Sequence, residues 1–205
     1  MLHLKRWLDF LFPPRPDEII LRGSTRDAFL LLLDPQIIRV TVPETVALLP
    51  FNNNFVRSAI HEAKYHGSER AFEFLSAVLV KYLREKTLSA RKITFIPLPL
   101  GTKRKKERGY NQVEEMLKRV AKELPIEIDP IFLTRARETV SQVSLPRHER
   151  EVNMRNAFKA VRLAETEITY VIIDDVVTTG ATLQAAINAL RDAGATHIIP
   201  LALAH

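Results

Sequence analysis

Two adjacent carboxylates, Asp174 and Asp175, close an apolar run, and a Thr-Gly turn follows at once in VIIDDVVTTGAT, residues 171–182. An ionised carboxylate only accepts hydrogen bonds, so the pair calls for hydroxyl donors or a cation. The turn, Val177, Thr178, Thr179, Gly180, Ala181 and Thr182, calls for the opposite. It lies between a strand pattern and a helix pattern, where unpaired backbone N–H groups and the positive end of the helix dipole favour a phosphate. Gly180 lets the backbone approach a ligand closely, and the threonine hydroxyls add donors. A sugar bearing a 5-phosphate satisfies both demands, with ring hydroxyls for the aspartates and the phosphate for the turn. Walker A spacing is absent, and so is the triple glycine of a dinucleotide fingerprint. A helix cap followed by an ordinary turn would not need the whole array.

The charge distribution agrees. The 205 residues carry a formal net charge of +6 and a pI near 9.7, which favours anionic partners. KRKKER, residues 103–108, holds five basic residues and one acid, and seven basic residues face three acids between Arg135 and Arg162. With no cysteine, disulfides and thiolate metal sites are excluded and a reducing cytoplasm is the expected setting. No run is long enough to span a bilayer. MLHLKRWLDFLFPPRP lacks a signal-peptide pattern and reads as an amphipathic helix packed on its own protein. The histidines at 3, 61, 66, 148, 197 and 205 show no H-x-x-x-H pair and no acidic partner at metal spacing, so no zinc site is expected.

The elements that must position these groups follow from periodicity. Residues 1–50, broken by six prolines from Pro13 to Pro50, read as a small N-terminal appendage, and residues 51–205 as the main domain. Phe55, Val56, Ala59, Ile60 and Ala63 make one helical face capped by Asn54, and Gly67 stops it. Ser68 caps a second helix with Phe72, Leu75, Val78, Leu79 and Tyr82 inward. ITFIPLPL is a buried strand, and Gly101 to Gly109 a basic loop. Asn111, with Glu114 three residues on, starts a helix bearing Val113, Met116, Leu117 and Val120. IEIDPIFLTR gives one or two strands. Thr139 to Asn156 has no period and is too long for a plain connection, so it reads as a functional flap. TYVIIDD is a strand, Leu183 to Ala193 a helix ended by Gly194, and HIIPLALA a last strand. The alternation predicts an α/β fold: a mostly parallel twisted sheet flanked by helices, with the small N-terminal appendage.

VIIDDVVTTGAT resembles the phosphoribosyl-pyrophosphate (PRPP) motif of type I phosphoribosyltransferases. KYHG (64–67), IPLPL (96–100), KERGYNQ (106–112) and SQVSLPRHEREVNMRNAF (141–158) then occur in the order found in the ComF family, phosphoribosyltransferase-like proteins associated with competence for DNA uptake. The resemblance covers roughly residues 55–205. It implies a type I phosphoribosyltransferase-like fold and a PRPP or other ribose-5-phosphate ligand. Asp174 and Asp175 would accept from the ribose 2- and 3-hydroxyls and hold Mg²⁺ indirectly. Val177 to Thr182 would hold the 5-phosphate, and Leu100, Gly101, Thr102 and Lys103 the pyrophosphate. Arg104, Arg108, Arg135 and Arg137 are the candidates for leaving-group contacts. ComF proteins typically begin with a cysteine-rich zinc module, and LDFLFPPRPDE keeps its entry without a single cysteine.

Two functions stay open on these residues. One is a Mg²⁺- and PRPP-dependent transferase acting on an unidentified acceptor. The other is a non-catalytic or regulatory PRPP- or nucleotide-binding protein whose working partner is single-stranded DNA or a DNA-uptake protein. A homodimer is compatible with either.

Overall fold

A computed structural model describes residues 13–86, 92–135 and 157–205. The N-terminal amphipathic helix, the flap and Arg137 lie outside the described residues.

The clearest strand pattern gives the centre of the sheet. β7 (Thr169–Val176) is buried along nearly its whole length, as a parallel strand covered on both faces must be. It pairs in parallel with β3 (Ile93–Pro97) on one side and β8 (His197–Ala204) on the other. β4 (Glu127–Ile128) extends the sheet beyond β3. β2 (Thr45–Leu49) pairs in parallel with β8, and β1 (Gln36–Ile38) closes that edge antiparallel. The order β1-β2-β8-β7-β3-β4 is an α/β sheet, parallel except at one edge. A second sheet pairs β5 (Leu133–Arg135) with β6 (Phe158–Ala160). Of the segment expected as an appendage, residues 36–49 supply two strands of the main sheet, and Leu48 and Leu49 enter its core.

Strand alternation splits the core into two layers. Val171 and Ile173 of β7 point to one layer, built with α3 (Asn54–Tyr65), α4 (Glu69–Glu85) and α6 (Gln112–Glu123). Two short helices, α1 (Pro16–Arg22) and α2 (Arg26–Leu30), add Leu21 and Phe29 to this layer. Tyr170 and Ile172 point to the other, built with α7 (Ala181–Asp192) and the small sheet. Each large aliphatic side chain buried this way contributes about 1.5–3 kcal/mol.

Two local expectations change. Asn53, not Asn54, caps α3, its Oδ1 accepting from Phe55 N at 2.9 Å. The basic loop is a helix, α5 (Thr102–Arg108), with none of its side chains buried. Glu114 pairs with Lys118 at 2.9 Å.

Candidate functional site

Chain order fixes where a ligand belongs. From β3 the chain moves outward to β4, and from β7 it moves outward the other way to β8. Adjacent strands that diverge in this way leave a crevice beyond their carboxyl ends. Asp174 and Asp175 stand at that end of β7. Leu98 leaves β3 beside them, its N–H donating to Ile173 O at 2.8 Å.

The period of two sends the aspartates to opposite faces. Asp175, 6% exposed, faces the α3–α6 layer. Lys64 Nζ of α3 lies 3.0 Å from Asp175 Oδ2 and 3.2 Å from Oδ1, and Gln112 Nε2 of α6 also donates to Oδ2. Arg108 donates to Gln112 Oε1 at 3.0 Å and stacks 4.9 Å above the Tyr65 ring. Tyr110 donates to Ala63 O at 2.7 Å, and its ring covers Gly67, whose φ of +59° suits glycine. The segments KYHG, KERGYNQ and IIDD are therefore one polar network around a buried carboxylate. Sequence reasoning named those segments without assigning roles to Lys64 and Gln112. Buried polar groups need partners, but sequence does not say which.

Asp174 faces the α7 layer. One oxygen accepts from the Asp175 N–H at 2.8 Å. Burial, and then the charge of Asp175, push its carboxyl up to about 7, while the Asp175 N–H, Lys64 and Arg135 act in the opposite direction. Asp174 is thus a carboxylate short of positive compensation, the state that hydroxyl donors or a cation would relieve.

The Thr-Gly turn follows. Val177 anchors it: the side chain is core, its N–H donates to Ala204 O at 3.0 Å, and its carbonyl faces His205 Nδ1 at 2.9 Å. Thr178 is exposed, and Thr179, Ala181 and Thr182 are half-buried. Gly180 is the N-cap of α7 at φ +73°. A β-carbon there would lie 2.6 Å from Val40 O, too close for any other residue. Gln184 Oε1 accepts from Val42 N at 2.7 Å, tying the same segment to the first turns of α7.

On the β3 side, Asn111 donates to Leu98 O at 3.0 Å while its Oδ1 accepts from Val113 N. It fixes both the strand exit and the start of α6. Gly101 is buried, and a β-carbon on it would sit 3.7 Å from Arg135 Cδ, so the arginine stem lies along this turn. The Arg135 guanidinium stacks on Phe158 at 5.4 Å. Asp174, the turn and Arg135 thus converge on one crevice. Arg108 belongs to the network behind Asp175. Thr102, Lys103 and Arg104 are exposed on α5, and Leu100 is half-buried.

The histidines are the other departure from expectation. His61, Glu62 and His66 bring one potential ligand atom each to within 4.8 Å of one another. The two histidines are five apart, which hides their approach on an ideal helix, whereas Glu62 and His66 stand at the i, i+4 spacing of one helix face. His66, the C-cap, has φ −126° and leaves the helical register.

Among the described residues no helix is long and apolar enough to cross a membrane. No protein-family model matches the chain. It is 35% identical over 130 residues to the DNA utilization protein YhgH of Salmonella typhi, covering 60% of this chain and 57% of that one. The YhgH of Escherichia coli K12 is 32% identical over 146 residues, with 68% and 62% covered. Competence protein F of Haemophilus influenzae is 33% identical over 106 residues, with 50% and 46% covered. The chain thus spans about half to three fifths of the length of these relatives. A hypoxanthine phosphoribosyltransferase from Staphylococcus aureus superposes with a TM-score of 0.36 at 12% identity, covering 72% of this chain and 63% of the other. A likeness that weak carries no argument.

Proposed function

The chain belongs to the ComF family, and from that premise we propose that it binds PRPP with Mg²⁺ and transfers the phosphoribosyl group to an acceptor. One juxtaposition carries the reading: an undercompensated carboxylate, Asp174, shares a switch-point crevice with an anion-suited helix start after Gly180 and an arginine, Arg135, along the Gly101 turn.

The ligand's parts match the crevice. The 5-phosphate takes the N–H groups at the start of α7 and the threonine hydroxyls. Ribose hydroxyls donate to Asp174. Asp175, held by Lys64 and Gln112, keeps Asp174 in place and supplies the charge that makes it a strong acceptor. The bond from ribose C1 to pyrophosphate breaks through an oxocarbenium-like state as the acceptor bonds to C1, and Arg135 stabilises the departing charge. The donor set fits Mg²⁺ through Asp174, by way of water, because Asp174 is only half-buried at the crevice whereas Asp175 is buried against α3 and α6. When bound, the ion supplies charge neutralisation on the pyrophosphate oxygens. Pyrophosphate release on mixing the chain with PRPP, Mg²⁺ and a panel of nucleobases tests transfer, and no release with any acceptor would count against it.

A second reading rests on α5, whose Lys103, Arg104, Lys105 and Lys106 are exposed beside the crevice. The relatives' names speak of DNA utilization and competence. This basic helix would track the phosphates of single-stranded DNA, with PRPP as a regulatory ligand. Binding would then weaken steeply with salt.

A further inference from the structure

We propose that the carboxy-terminal turn of α3 carries a site for a borderline divalent cation of the Zn²⁺ type, built from His61, Glu62 and His66. Two imidazoles and a carboxylate are a donor set that suits zinc or nickel rather than magnesium or calcium. Their ligand atoms lie within 4.8 Å of one another, a distance that side-chain rotation closes to coordination. His66 Nε2 is 4.0 Å from Glu62 Oε1, and the two imidazole centroids are 5.8 Å apart.

Three surrounding features point the same way. His61 Nδ1 lies 2.9 Å from Asp17 Oδ2. With the proton on Nδ1 that hydrogen bond is satisfied and Nε2 keeps its lone pair for a cation, the carboxylate–histidine–metal arrangement. Glu62 is fully buried, and Arg15 compensates its charge through Nε to Oε1 at 2.9 Å and Nη2 to Oε2 at 2.6 Å. Each carboxylate oxygen has two lone-pair sites, so Oε1 keeps one for a cation. The cluster also sits at a helix C-terminus, the end that favours positive charge. His61 and His66 are 48% and 32% exposed, which gives entry and leaves a position for water.

This site is separate from the aspartate crevice. Lys64, on the same turn, reaches across to β7, whereas the cluster is backed by Arg15 and Asp17 at the start of α1. A bound cation would tie α1 to α3 through the Asp17–His61 contact.

The test is calorimetric titration of ZnCl₂ into the untagged, chelator-stripped full chain, repeated with MgCl₂. The wild type should saturate at one site with Zn²⁺ and give no saturable heat with Mg²⁺. His61→Ala and His66→Ala should each weaken binding at least about tenfold, and Asp17→Asn by about tenfold as an outer partner. His197→Ala, on β8, should bind like the wild type. Absence of saturable Zn²⁺ binding by the wild type, or unchanged binding by both His61→Ala and His66→Ala, would overturn the proposal.

Discussion

Lys64 Nζ lies 3.0 Å from Asp175 Oδ2, joining the last turn of α3 to the end of the central strand across 111 residues of sequence. The contact is mostly buried, with the two side chains 22% and 8% exposed. It makes Asp175 a fixed internal charge and leaves Asp174 as the carboxylate that meets the crevice.

Removing one partner of a buried pair strands the other charge. Lys64→Met should lower the unfolding free energy by about 2–3 kcal/mol, the partial exposure of Lys64 placing it below the fully buried case. The double variant Lys64→Met/Asp175→Asn should lose less than the two singles together, by about 1 kcal/mol or more. Urea midpoints of the four proteins measure both quantities, and additive losses would dissolve the pair.

Asp174 gives stability a pH dependence of unusual sign. Its carboxyl sits at about 7 in the folded chain, well above the ordinary value of 3.8. Between those values the folded protein holds a proton that the unfolded chain has released. The associated stability is complete below about pH 4 and is lost as pH rises through about 7. The melting temperature of wild type minus that of Asp174→Asn should therefore fall steadily over this window. A flat difference would remove the raised carboxyl.

Gly180→Ala combines a left-handed backbone with a β-carbon 2.6 Å from Val40 O. The backbone alone costs about 1–2 kcal/mol and the overlap adds more. A loss of about 2 kcal/mol or more is expected in thermal or urea unfolding, along with weaker phosphate binding at the start of α7. A variant as stable as the wild type would place Val40 elsewhere.

Asn111→Ala removes the cap of α6 and the donor to Leu98 O in one step. The expected loss is about 1–2 kcal/mol. Asn111→Asp should restore the cap and not the tie to Leu98, recovering stability in part. Urea unfolding of both variants separates the two contributions.

The central layer of this fold is legible because its signals are local. β7 carries the apolar run of residues 170–173 and β8 is largely apolar over residues 198–204, α7 carries a clean stripe ended by Gly194, and the aspartate–threonine–glycine array sits where the chain passes from β7 to α7. What stays hidden depends on distant partners or on exposure. Gln112 reads as an ordinary residue of a capped helix until α6 packs beside β7 and brings it onto Asp175, 63 residues away. α5 buries nothing, so its basic run has no apolar period to announce a helix. β1 and β2 are short and lie among prolines, and only the pairing of β2 with β8, and of β1 with β2, makes them part of the sheet. The histidine pair escapes because its spacing becomes a contact only after His66 leaves the helical register.

The measurement that bears most directly on the PRPP reading is calorimetric titration of PRPP in the presence of Mg²⁺, on the wild type and on Asp174→Asn. Saturable binding by the wild type that requires Mg²⁺ is expected, with affinity at least about tenfold weaker in the variant, the loss of one charge-assisted hydrogen bond or water-mediated cation contact. No heat with the wild type, or equal affinity in the two proteins, would contradict that reading.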